Sequence, residues 1–73
     1  MPKLPRLTAA EAEAILLRAG FEWLRSKGSH RIYAKSGRRV IVPFHGNANL
    51  HPKAVKQVFE AIEETSGGTI SPQ

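Results

Sequence analysis

The sequence predicts an α+β two-layer sandwich of order αβββα, a three-stranded antiparallel meander with both helices on one face. Three observations predict it. Apolar residues recur at helical spacing near both ends, at Ala12, Ile15, Leu16 and Ala19 and again at Val55, Val58, Phe59 and Ile62. Between them lie short strand-like runs separated by the turn signals Gly28-Ser29 and Ser36-Gly37. Each helical segment carries one apolar stripe, so both cover the same face of the sheet and leave the other open.

The first helix is bounded on both sides. Thr8 and Glu11 form a T-x-x-E capping box, Leu7 holds the staple position, and Gly20 supplies the left-handed residue after the last turn. The helix is expected over about 9–19. The first strand reads as Phe21 to Lys27, with Phe21 and Trp23 of one parity and Trp23 assigned to the core. The second reads as His30 to Lys35, with Ile32 and Ala34 on one face and Arg31, Tyr33 and Lys35 on the other. The open face is expected to be the basic one. The third, Arg39 to Val42, is stopped by Pro43, and its facing is open because Val40, Ile41 and Val42 are all apolar. Phe44 to Leu50 is a loop, and Pro52 suits the first position of the second helix.

Length and composition narrow the class. A chain of 73 residues implies a single domain over 1–73, with a core over about 7–64 and a Gly- and Ser-rich tail over 65–73 expected to be disordered. No cysteine is present, which fits a reducing cytoplasm. No run approaches the roughly 20 apolar residues that span a bilayer, and the N-terminus has no signal-peptide pattern, so a soluble, cytoplasmic protein with no membrane partner is expected.

Charge is unevenly placed. The net charge is +5, yet the acids Glu11, Glu13, Glu22, Glu60, Glu63 and Glu64 leave none between Trp23 and Phe59. That central segment holds Arg25, Lys27, Arg31, Lys35, Arg38, Arg39, Lys53, Lys56 and all three histidines. Such a segment suits a polyanion, nucleic acid first. The plainer alternative is a solvated sheet edge guarded by lysine and arginine.

His30 is the first candidate for chemistry. Imidazole exchanges protons near neutrality, the nearby Arg25, Lys27, Arg31 and Arg38 could stabilise charge on a phosphoryl oxygen, and Gly28 and Ser29 could let backbone approach a phosphate. The alternative is a hairpin turn followed by a solvated histidine. His45 is a lesser candidate. An antiparallel pair places the start of the second strand beside the end of the third, so the two histidines are expected on one edge, where acid–base cleavage of RNA could use both. Lys53 and Lys56 stand at a helix start that attracts phosphate. Among Trp23, Tyr33 and Phe44, Tyr33 is the best base-stacking candidate. No metal site is expected: His30, His45 and His51 lack i, i+4 spacing and a nearby carboxylate. No cofactor fingerprint is present.

These residues carry a resemblance. Gly20-Phe21, the run Arg25-Ser26-Lys27-Gly28-Ser29-His30-Arg31-Ile32-Tyr33, then Val42-Pro43-Phe44-His45, Leu50 and an amphipathic helix make about residues 7–62 similar to the HicA (YcfA-like) toxin family. Its members are small mRNA interferases of toxin–antitoxin pairs. The resemblance implies a double-stranded-RNA-binding-domain-like fold and a metal-independent endoribonuclease. It also implies catalysis by the histidine of the G-S-H motif, here His30, and a HicB-type antitoxin that covers the active site. One stretch departs: Lys53-Ala54-Val55 stands where members often have Gly-Thr-Leu. The expected RNA contacts are Arg25, Lys27, Gly28, Ser29, Arg31, Tyr33, Arg38, Lys53 and Lys56. The rival reading is a non-catalytic RNA-binding module that uses the basic sheet face and the start of helix two.

Overall fold

The computed structural model describes residues 5–46 and 48–66. Helix α1 (Ala9–Arg18) is followed by strands β1 (Glu22–Lys27), β2 (His30–Lys35) and β3 (Arg38–Pro43) and helix α2 (Pro52–Ser66). The strands form one antiparallel sheet of order β1-β2-β3. The predicted αβββα order holds.

Local chemistry sets the boundaries. Thr8 Oγ1 accepts the Glu11 N–H at 3.2 Å and Glu11 Oε1 accepts the Thr8 N–H at 2.9 Å, closing the capping box. Gly20, at φ +99°, turns the chain out of α1. Ser36 and Gly37 both have positive φ, 51° and 83°, which matches the twist of the β2–β3 hairpin. β3 runs through Pro43 rather than stopping before it, because a proline at the last position of an edge strand removes little of the ladder. The segment before α1 is tied to the loop before α2: the Leu50 N–H donates to the Leu7 carbonyl at 2.7 Å, and Thr8 bridges Asn49.

The expected facing of β2 is inverted. Tyr33 is fully buried and points with Val40 and Val42 into the core, against Ala12 and Leu16 of α1 and Val55, Val58 and Ala61 of α2. Arg31, Tyr33 and Lys35 therefore lie on the covered face, and Ile32 and the 50% exposed Ile41 on the open one. The reason is that Tyr33 contributes a large ring to a small core while its hydroxyl donates to Glu13 Oε2 of α1 at 2.5 Å. Its two charged neighbours keep their polar ends at the rim of the sandwich. Arg31 Nη1 donates to Glu13 Oε2 at 2.9 Å, and Lys35 Nζ donates to the Ala19 carbonyl at the end of α1 at 2.6 Å.

Trp23 is also corrected: it is 54% exposed, not core. The β1–β2 register slips between Trp23 and Arg25, leaving Leu24 as an extra residue. Trp23 keeps the parity of the buried Phe21 and pairs with the buried Tyr33, but β1 is an edge strand exposed along its whole length, so the helices leave the indole largely uncovered. At the other end, Thr65 and Ser66 belong to α2, and Thr65 Oγ1 donates to the Ala61 carbonyl at 2.9 Å. The remainder of the expected disordered tail lies outside the described residues.

The Tyr33–Glu13 contact gives a pH signature. The Tyr33 hydrogen bond, helped by Arg31 and opposed by burial, holds the Glu13 carboxyl below its ordinary value of 4.5. Its contribution to stability is thus present above about pH 4.5 and is lost as pH falls through the lower folded value. Burial, reinforced by the Glu13 charge, pushes the Tyr33 phenol above its ordinary 10.0, so that contribution holds below pH 10 and fades above it. Tyr33→Phe is expected to cost about 1–2 kcal/mol in urea unfolding at pH 7. Glu13→Gln should flatten the acid limb of the stability profile relative to wild type.

Candidate nucleic-acid interface and histidine pair

The end of β3 is fastened to the start of β2. His30 opens β2 after the positive-φ Gly28, and the Ser29 carbonyl accepts the Phe44 N–H at 2.7 Å. That bond sets His45 beside His30, with ring centroids 6.2 Å apart and planes at 88°. Both imidazoles are exposed. The pairing expected from strand order is therefore present.

A second set of contacts holds this end from the covered side. The Arg31 guanidinium carbon lies 4.2 Å from the centroid of the Phe44 ring, while the same group binds Glu13. The Glu13 carboxylate raises the Arg31 pKa further, so the cation is permanent. Phe44 is half-buried beneath it. Glu13, Arg31 and Phe44 form a chain of contacts that ends at the residue before His45.

The open face follows from the register. Lys27, His30 and Pro43 form one cross-strand row, Arg25, Ile32 and Ile41 the next, and Ala34 with Arg39 the third, with Glu22 at its β1 end. A depression of about 550 Å³ lies over the first two rows, lined by Lys27, Gly28, His30, Ile32 and Ile41. None of the ion pairs found among the described residues involves Arg25, Lys27 or Arg39.

The structure divides the expected site residues. Arg25, Lys27, Gly28, Ser29 and His30 come together, with His45 alongside. Arg31 and Tyr33 lie on the covered face, where the Tyr33 ring offers no surface for stacking. Arg38 Nε donates to Glu64 of α2 at 2.8 Å. Lys53 and Lys56 lie in the helix layer, and Lys56 stands 4.0 Å from Glu60. The α2 start is partly capped from within, because His51 Nδ1 accepts the Lys53 N–H at 3.0 Å. Arg39, Ile32 and Ile41 were not among the expected site residues. Their shared parity with His30 across the hairpin is the signal that places them there. Among the described residues no group of three or more His, Cys, Asp or Glu could hold a metal ion.

The family model for the HicA toxin of bacterial toxin–antitoxin systems matches residues 9–64, from the first residue of α1 nearly to the end of α2. The chain belongs to the HicA toxin family. No curated protein and no solved structure matches it. Family membership assigns a toxin role and implies a toxin–antitoxin partner. Among the described residues no helix is long and apolar enough to cross a membrane.

The distinct jobs of the histidines can be separated. His51→Ala is expected to cost about 1 kcal/mol of stability through the lost helix cap. The ring-proton NMR signals of His30 and His45 should stay in place in that variant, while Phe44→Ala should move those of both.

Proposed function

We propose that this HicA-family toxin is a metal-independent endoribonuclease that cuts mRNA, with His30 as the catalytic residue and His45 in the second proton-transfer role. The observation that carries this reading is the approach of the two exposed imidazoles at the cationic end of the open face.

In the proposed reaction one imidazole takes the proton from a ribose 2′-hydroxyl. The 2′-oxygen bonds to the adjacent phosphorus, and the bond from phosphorus to the 5′-oxygen breaks. The other imidazole protonates that leaving oxygen. The products are a 2′,3′-cyclic phosphate and a 5′-hydroxyl. Lys27 and Arg25 hold the phosphate and stabilise charge on its oxygens. The 6.2 Å between ring centroids suits groups that act on two oxygens of a single phosphodiester. An mRNA substrate places this activity in the cytoplasm. The antitoxin partner is proposed to be HicB-type and to cover His30.

The expected outcome is cleavage of RNA in EDTA by the wild-type chain and none by His30→Ala, both folded by circular dichroism. His45→Ala should lose about 10²–10⁴-fold in rate. DNA of the same sequence should survive, because it has no 2′-hydroxyl. DNA cleavage at a comparable rate would falsify the mechanism. Equal, salt-sensitive RNA binding by wild type and His30→Ala, with no cleavage by either, would instead favour the non-catalytic binding module.

A further inference from the structure

We infer that the depression beside His30 is a nucleobase subsite, in which the base of a nucleotide flanking the scissile phosphate packs on Ile32 and Ile41. The inference rests on the RNA-cleaving reading above and adds to it the part of the substrate that this face grips.

The fold leaves Ile41 unexplained. Ile41 is 50% exposed in a strand whose neighbours Val40 and Val42 supply the core, so burial within the domain does not account for an isoleucine there. Ile32, its cross-strand partner, extends the same apolar floor. The floor is bordered by Lys27 and His30 in one row and by Arg25 within its own row; the row beyond holds Arg39 and Ala34, with Glu22 at its far end. An apolar floor with cations concentrated at its His30 end matches a nucleotide, which has a flat apolar base and an anionic backbone. An acidic peptide would satisfy the cations and leave the floor without a partner. The volume of about 550 Å³ accommodates one nucleotide. With His30 in the wall, a base seated there brings its own phosphodiester to the imidazole. Orientation of this kind is a major part of catalysis by positioning. The backbone of Gly28 forms part of the wall, and nothing lies within 4 Å of where a side chain would begin at that residue, so the mouth stays open on that side.

The test compares two charge-matched ligands: single-stranded 2′-O-methyl oligo(A), which cannot be cut, and an abasic oligomer of equal length. Wild type is expected to prefer oligo(A) by about fivefold, from burial of part of the base's apolar face on the isoleucine side chains. Ile41→Ser should lose most of that preference with its affinity for the abasic strand unchanged. Lys27→Ala should weaken both ligands alike and leave the preference intact. A wild-type chain that binds both ligands equally overturns the subsite. So does an Ile41→Ser variant that keeps the full preference. Ile41→Thr, which retains the β-branch suited to a strand, serves as a second variant in case Ile41→Ser unfolds. Cleavage activity is read separately on unmodified RNA. A base preference without cleavage leaves the subsite standing and removes the nuclease reading, whereas cleavage without a base preference does the reverse.

Discussion

The contact on which the rest of the structure depends is the one between Tyr33 and Glu13. A strand of period two offers two faces, and β2 carries credible apolar residues on both. The tyrosine ring fills the middle of a core otherwise built from valines, alanines and few large side chains. Its hydroxyl requires a partner in that setting, and Glu13 on α1 accepts the hydrogen bond. Once this parity is chosen, Val40 and Val42 follow by register, Ile32 and Ile41 turn outward, and His30 falls on the open side. A carboxylate in the helix layer thus decides which residues of the sheet face outward.

The same carboxylate also reaches the histidines. Glu13 holds Arg31, Arg31 lies over Phe44, and the Phe44 backbone is bonded to Ser29 beside His30. The cations consequently divide into two kinds. Arg31, Lys35 and Arg38 are engaged with groups of their own chain and act as structural fasteners. Arg25, Lys27 and Arg39 border the open face and supply its field. A count of basic residues in the central segment merges these two populations with the lysines of α2, although only Arg25, Lys27 and Arg39 stand on the open face.

Much of the architecture was legible in the sequence because local chemistry wrote it. The Thr8–Glu11 box, Gly20, the Ser36-Gly37 turn and Pro52 mark boundaries by mechanisms confined to a few residues. The neighbourhood of His30 and His45 was legible too, since antiparallel order alone brings those strand ends together. The facing of β2 was not. It turns on a hydrogen bond spanning 20 residues in sequence, and an Arg-Ile-Tyr-Ala-Lys run reads naturally with its charged residues outward. Trp23 was misplaced for a different reason: its parity is the covered one, but it stands on an edge strand that is exposed throughout, and the extent of helix cover is not written in Glu-Trp-Leu-Arg. Ile41 was ambiguous among three consecutive apolar residues until Val40 and Val42 were seen to face the helices.

The junction of Leu7 and Thr8 with Asn49 and Leu50 has a consequence for the order of folding. The meander forms by closing short loops, whereas Thr8 and Asn49 are 41 residues apart in sequence, so their union requires the larger loss of chain freedom. It is therefore expected to form late and to open early, ahead of the sheet. Such an opening would release the launching points of both helices at once and slacken the loop that follows His45, while β2 and its register remain intact. The two histidines would then differ in kinetic character, one anchored in the most persistent part of the molecule and the other attached to its most readily undone closure.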